Sequence, residues 1–131
     1  MALSKVSAVF QSDIRKVWDI VTTVENYTWR SDLGRTEILN EKQFVEYTKD
    51  GYTTTFTTTV FEPCMRWEFE MENSNMKGHW IGVFCERDGK TEVEFTEDVT
   101  VKKILMKPFA GVYLKKQQKR FISDLKKALL E

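Results

Sequence analysis

Histidine is nearly missing from this 131-residue chain, in which His79 stands alone. Cysteine is almost as scarce, and Cys64 and Cys85 sit in no Cys-x-x-Cys spacing. These shortages exclude most zinc-site patterns and any multi-histidine iron site, and the two cysteines read as packing residues. Nothing resembles a nucleophile elbow, a phosphate-binding glycine loop or a cluster of metal ligands, so no cofactor is expected. Net charge is absent as well, because 20 basic and 20 acidic side chains cancel. That removes the electrostatic argument for nucleic acid or an anionic lipid surface as a partner. The opening MALSKVSAVFQSD has an early lysine but neither a long apolar core nor a small-residue cleavage site. A cytoplasmic protein with no stable membrane insertion is therefore expected. Repeats, linkers and low-complexity segments are also lacking, which predicts one domain over residues 1–131. A chain of this size buries roughly 70% of the surface its unfolded form exposes, enough for one real core.

What is present is a soluble globular composition, 41% hydrophobic and 31% charged, with aromatics on the high side at 13%. The charges are unevenly placed. Residues 62–98 are mostly acidic, whereas from Lys102 onward the chain is almost purely basic. Two solvated faces of opposite sign account for this, with a phosphate or membrane patch as the alternative.

Period-two alternation in SKVSAVF predicts a first strand over residues 4–10, with Val6, Ala8 and Phe10 on one face. Ser12 stands where an N-cap should, with Asp13 in the first turn of a helix whose apolar stripe is Ile14, Val17, Trp18 and Val21. Thr23 is then placed to cap a second short helical turn through Val24, Glu25, Asn26 and Tyr27. Strands follow. EKQFVEYTKDGY runs into a turn at Asp50-Gly51, TTTFTTTVFEP stops at Pro63, and MRWEFEMEN alternates with Trp67, Phe69 and Met71 on one side. KGHWIGVFCERDGKTEVEFTEDVTV predicts a hairpin about Asp88-Gly89 in which Phe84 faces Val93, Gly82 faces Phe95 and Trp80 faces Glu97. A glycine between two large aromatics makes room for a bend or for something lying against the sheet. From Pro108 to Leu130 one long helix is predicted, with Leu114, Phe121, Leu125, Ala128 and Leu129 inward and most lysines outward. A sheet with one wet face needs apolar cover on the other, and only this helix is long enough to provide it.

The order of these elements, with DIRKVWDIVTTVENYTWRSD after a short first strand, FEPCMRWEFEM in the middle and the closing amphipathic YLKKQQKRFISDLKKALLE, resembles the START/polyketide-cyclase-like superfamily (SRPBCC) over essentially the whole chain. The resemblance implies an α+β helix-grip fold: a curved antiparallel sheet of about seven strands wrapped round the C-terminal helix, with an internal cavity closed by two short helices. Members of that superfamily include lipid carriers, hormone and pollen-allergen-type binders, polyketide cyclases, ring-hydroxylase subunits and activators of a heat-shock ATPase. The fold alone selects none of these.

Glu97 is the most informative polar residue, because the hairpin register places it on the inner face with Phe95. A carboxylate there must find a partner, stay partly hydrated or hold a raised pKa. It is either a polar anchor, or a general acid or base, at one end of the cavity, or a strand-end residue paired with Arg30 or a lysine, or, if the register slips by one, a residue that points to water. Arg30 either forms a local ion pair with Asp32 that fixes the turn or presents its planar fork to a ligand. Tyr27 and Trp29 plug the open end of the core or gate a pocket entrance. Tyr52, Phe56, Trp67, Phe69, Trp80, Phe84 and Phe95 are candidate cavity walls, with Gly82 between two of them, and Thr54 and Thr58 could add hydroxyls. His79 falls on the outer face. The leading expectation is a binder or carrier of a small hydrophobic ligand. The alternatives are a cofactor-independent cyclase or dehydratase using Glu97, or a protein-interaction module docking through the basic helix or the acidic sheet. A protein partner, and a monomeric or homodimeric state, stay open.

Overall fold

The computed structural model describes residues 2–131. The chain runs β1 (Ala2–Phe10), α1 (Ile14–Thr22), β2 (Leu33–Ile38), β3 (Gln43–Thr48), β4 (Thr53–Glu62), β5 (Arg66–Glu72), β6 (Met76–Arg87) and β7 (Lys90–Val101), then a 3-10 turn (Ile104–Phe109) and α2 (Ala110–Ala128). Strands β2 to β7 form an antiparallel meander, and β1 closes onto β7, giving the order β1-β7-β6-β5-β4-β3-β2. This is the curved seven-stranded sheet gripping a long C-terminal helix that the resemblance implies. The β6–β7 register pairs Phe84 with Val93, Gly82 with Phe95 and Trp80 with Glu97, as the alternation predicts. Asp88 and Gly89 both have positive φ, 53° and 76°, the mirror-image turn whose twist matches a hairpin.

Three local expectations are corrected. The N-cap of α1 is Asp13, whose carboxylate accepts from the Lys16 amide at 2.9 Å. Ser12 is engaged elsewhere: its hydroxyl and amide both donate to the Glu131 carboxylate, at 2.7 and 3.0 Å. The second short helix does not form. Residues 23–32 make isolated turns instead, closed by Asn26 N–H to Thr23 O and Arg30 N–H to Tyr27 O. Thr22, Thr23 and Val24 are β-branched and poor helix formers, and the Thr22 hydroxyl bonds back to the Trp18 carbonyl. Finally, the long helix begins at Ala110 rather than Pro108, because Pro108 is taken up in the preceding 3-10 turn.

Two regions of packing meet under the sheet. Beneath α1, Trp18 stands edge-on to Phe84 at 4.9 Å beside Val17, Phe10 and Leu125, all nearly inaccessible. Each such side chain contributes roughly 1.5–3 kcal/mol of burial. Helix α2 packs chiefly on β1, with Leu114, Leu125 and Leu129 buried and Phe121 and Ile122 partly so. Two polar residues lie inside its buried stripe. Gln118 accepts from the Ser4 hydroxyl at 2.8 Å and donates to the Ser4 carbonyl at 2.9 Å, while Asp124 accepts from the amide and hydroxyl of Ser31. Fully paired, Gln118 fixes the helix's register on β1 and Asp124 ties the helix to the 23–32 segment, without an unsatisfied cost.

Candidate functional site

Because α2 leans on the β1 edge, the sheet's other half curves away from it and leaves a half-open space. The resulting cavity holds about 180 Å³. Phe56, Trp67, Phe69, Trp80 and Phe95 form its floor. Their rings lock one another: Trp80 stacks on Phe69 with centroids 4.8 Å apart and lies 5.1 Å from Phe95, and Phe44 stacks on Phe56 at 4.8 Å. Such walls are preorganised rather than adaptable. The Trp67 indole N–H is satisfied by the Thr58 hydroxyl at 3.2 Å, and Thr54 also lines the space. Tyr27, Trp29 and Arg30 close it from the 23–32 segment, where Trp29 meets Phe121 of α2 edge-on at 5.2 Å.

Two proposed wall residues lie outside the lining. Phe84 belongs to the core beneath α1. Gly82 leaves no vacancy, because the Trp80 ring folds over it: an added Cβ would sit 2.4 Å from that ring. The glycine makes room for a neighbouring tryptophan, not for a ligand.

Charge is concentrated at one end. Arg30 donates from Nε and Nη2 to the two Asp32 oxygens, both at 3.2 Å, and from Nη1 to Glu46 of β3 at 3.4 Å. All three side chains are under 20% exposed, at 17%, 15% and 18%. The local ion pair with Asp32 is thus present, and Arg30 also lines the cavity, with its fork engaged by that pair rather than presented to a ligand. Its guanidinium also lies over the Phe121 ring at 4.9 Å. Burial would lower the Arg30 pKa, but Glu46 and Asp32 outweigh it and raise it, so Arg30 stays charged. Burial raises the Glu46 pKa against the opposing pull of Arg30.

Glu97 completes this end without joining the network. It lines the cavity and makes no side-chain hydrogen bond among the described residues. It is half-buried, and the area it retains opens on the cavity. Desolvation drives its pKa up to about 7, with Arg30 opposing and Glu46 reinforcing the shift. An outer vestibule of about 550 Å³ adjoins the cavity, the two sharing Tyr52, Tyr113 and Gln117 in their linings. Met106 and Phe109 line that vestibule, and the adjoining Ile104 and Leu105 are 77% and 87% exposed.

The sequence matches, over residues 1–130, the family described as polyketide cyclase / dehydrase and lipid transport. The chain belongs to that family. Solved structures share the fold at low identity. A conserved protein from Geobacillus kaustophilus is similar with a TM-score of 0.85 at 12% identity, over 98% of this chain and 95% of that one. XoxI from Bacillus cereus gives 0.83 at 16%, over 100% and 97%, and a START superfamily protein from Mycobacterium smegmatis gives 0.72 at 19%, over 98% and 94%. Among functionally curated proteins no relative matches.

For a member of the polyketide cyclase / dehydrase and lipid transport family, a ligand-binding hydrophobic cavity is the shared feature. Here that cavity also includes Glu46, Tyr113 and Gln117, which sequence reasoning missed. Glu46 was recoverable: it shares a face with Phe44 by the same parity that places Glu97 beside Phe95. Tyr113 and Gln117 lie one helical turn apart at the edge of the α2 stripe, a weaker signal. His79 is on the outer face as expected, between Glu68 and Glu70 at 2.8 Å each. No helix among the described residues is long and apolar enough to cross a membrane. No group of His, Cys, Asp and Glu among them is arranged to hold a metal ion.

Proposed function

We propose that the protein binds and carries a small hydrophobic ligand in the cavity between its sheet and C-terminal helix. The observation that carries this reading is the coincidence, in one half-open cavity, of a locked aromatic floor, a carboxyl with no protein hydrogen-bond partner and an adjoining, mostly apolar vestibule. Glu97 has no protein hydrogen-bond partner on this aromatic wall, so its carboxyl is left to what enters the cavity, water or a ligand, to satisfy. A vestibule of this volume falls in the usual range for small-molecule sites, and the inner cavity supports recognition of one end of the molecule. The test is mass spectrometry of material extracted from natively purified protein, with tryptophan fluorescence read during titration with an apolar probe. A co-purified hydrophobic molecule and saturable quenching are expected. An extract free of such molecules together with unchanged fluorescence would overturn the reading.

A second reading, a cofactor-independent cyclase or dehydratase, is favoured by one feature: a carboxyl titrating near neutrality suits a general acid or base. In that case Glu97→Gln abolishes turnover of a carbonyl-bearing substrate while the fold persists. Unchanged turnover in the variant would remove this mechanism.

A further inference from the structure

The lining of the inner cavity is unbalanced in charge. One guanidinium, Arg30, faces three carboxylates, Asp32, Glu46 and Glu97. The edge of Arg30 is bonded to Asp32 and Glu46, and Phe121 covers one of its faces. An incoming anion would have to displace one of these carboxylates to reach it. Glu97, in contrast, points a carboxyl with no protein partner into the space between aromatic walls, across the strand pair from Trp80.

We propose that the cavity selects a ligand whose inner end is a single ring carrying a hydrogen-bond donor, a hydroxyl or an amine, which meets Glu97, and that it rejects ends headed by carboxylate or phosphate. This rests on the reading that the cavity takes a ligand, and it specifies which kind. Size sets the ring: a cavity of about 150 Å³ holds benzene, so 180 Å³ holds one substituted ring, with any tail running past Tyr52 and Tyr113 into the vestibule. Chemistry sets the donor. A hydroxyl satisfies Glu97 in either protonation state, and an amine pairs with its ionised form beside ring faces that favour a cation. An anion finds the one guanidinium already engaged and meets like charge in a partly desolvated site, where Coulomb repulsion is stronger than in water.

The groups that face Glu97 give this a pH signature. They are Arg30 from the closing segment, Glu46 from β3, and Tyr52 and Tyr113 at the junction with the vestibule. The carboxyl loses its proton through about 7, so amine affinity rises over that range while alcohol affinity stays flat.

Benzylamine, benzyl alcohol, benzoate and toluene are matched probes, titrated at pH 8 into the full chain and followed by amide NMR shifts and tryptophan fluorescence. The amine and the alcohol are expected to bind at least about tenfold more tightly than benzoate. In Glu97→Gln the amine should weaken by about tenfold and the alcohol by less than about threefold. Benzoate binding as tightly as the alcohol to the wild-type chain overturns the proposal, as does an amine affinity unchanged by Glu97→Gln. If the variant does not fold, the wild-type ranking and the pH dependence of the amine decide. Toluene binding with no preference among the three heads overturns this proposal alone; no binding by any probe overturns the cavity reading with it.

Discussion

Two charge clusters, one on the outer face of β5 and β6 and one at the cavity between the closing segment and β3, are built alike but behave differently. On the wet face, His79 lies between Glu68 and Glu70, and Glu68 also pairs with Arg66. On the cavity side, Arg30 lies between Asp32 and Glu46. Each is a nitrogen base held by two carboxylates. Outside, hydrogen bonds from His79 and Arg66 lower the Glu68 pKa, because these donors outweigh its partial burial. Inside, burial raises the pKa of Glu46 and of Glu97, because no donor replaces the lost water in full. The same pairing chemistry thus lowers a carboxyl pKa in one place and leaves raised ones in the other. What differs is the supply of donors and the exposure of the partners: Arg66, His79 and Glu70 are 42%, 28% and 53% exposed, against 17% for Arg30.

The largest break in this comparison comes from Arg30. Removing one partner of a buried ion pair leaves uncompensated charge, so Arg30→Ala is expected to cost about 3–5 kcal/mol in urea unfolding. Arg30→Lys keeps the charge but loses the two-point fork on Asp32, and should recover only part of that loss. If Arg30→Ala costs no more than an exposed pair would, the two clusters do not differ as argued.

Glu97→Gln sharpens the contrast in the opposite direction. A carboxyl raised from 4.5 to about 7 binds more protons folded than unfolded within that window, so its contribution to stability falls as pH rises through it. Below 4.5 there is no penalty, and above 7 the penalty is complete. The neutral variant should therefore match the wild type at pH 4 and exceed it by roughly 3–3.5 kcal/mol at pH 8, at about 1.4 kcal/mol for each pKa unit. Equal stabilities at both pH values would mean that Glu97 is paired or hydrated in solution.

A smaller effect is expected from Gly82→Ala on the same inner face. The new methyl would meet the Trp80 ring, which is stacked on Phe69 and cannot swing away freely. Overpacking of this kind costs about 1–3 kcal/mol and should shift the fluorescence of Trp80. Wild-type stability in the variant would show that the floor is softer than its stacking suggests.

How far these features were legible in the sequence depends on how local their causes are. The β6–β7 register follows from one Asp-Gly turn and a period of two, so Trp80, Phe95 and Glu97 fell on one face without any knowledge of the rest. Glu46 obeys the same rule in a shorter strand, where six residues give less pattern to read. The closing segment was not legible in detail. Its shape is set by groups remote in sequence: the Lys49 amide on the Asp32 carbonyl, the Thr36 hydroxyl on the Val24 carbonyl, and Asp124 on Ser31, 93 positions away. Gln118 was read past for a similar reason, since its partner Ser4 is 114 positions away and a glutamine on an apolar stripe has no meaning until that partner is in place.

The smallest effect belongs to the outer cluster, and its sign is opposite to that of Glu97. Desolvation pulls the His79 pKa down, but hydrogen bonds to Glu68 and Glu70 outweigh it and raise it above the ordinary 6.5. A base with a raised folded pKa contributes stability that is fully present below 6.5 and is lost as pH climbs through the raised value. The cluster is open to water, so the contribution is worth no more than about 1 kcal/mol. His79→Gln should therefore cost a few tenths to about 1 kcal/mol at pH 6 and nothing measurable at pH 9, and 1 M salt should shrink the pH 6 difference because its screening length is only about 3 Å. Salt should leave the Arg30→Ala cost nearly unchanged, since that pair is shielded from solvent ions. A His79→Gln cost that persisted at pH 9 or resisted salt would place the outer cluster in the same electrostatic regime as the inner one, and the distinction between the two faces would fail.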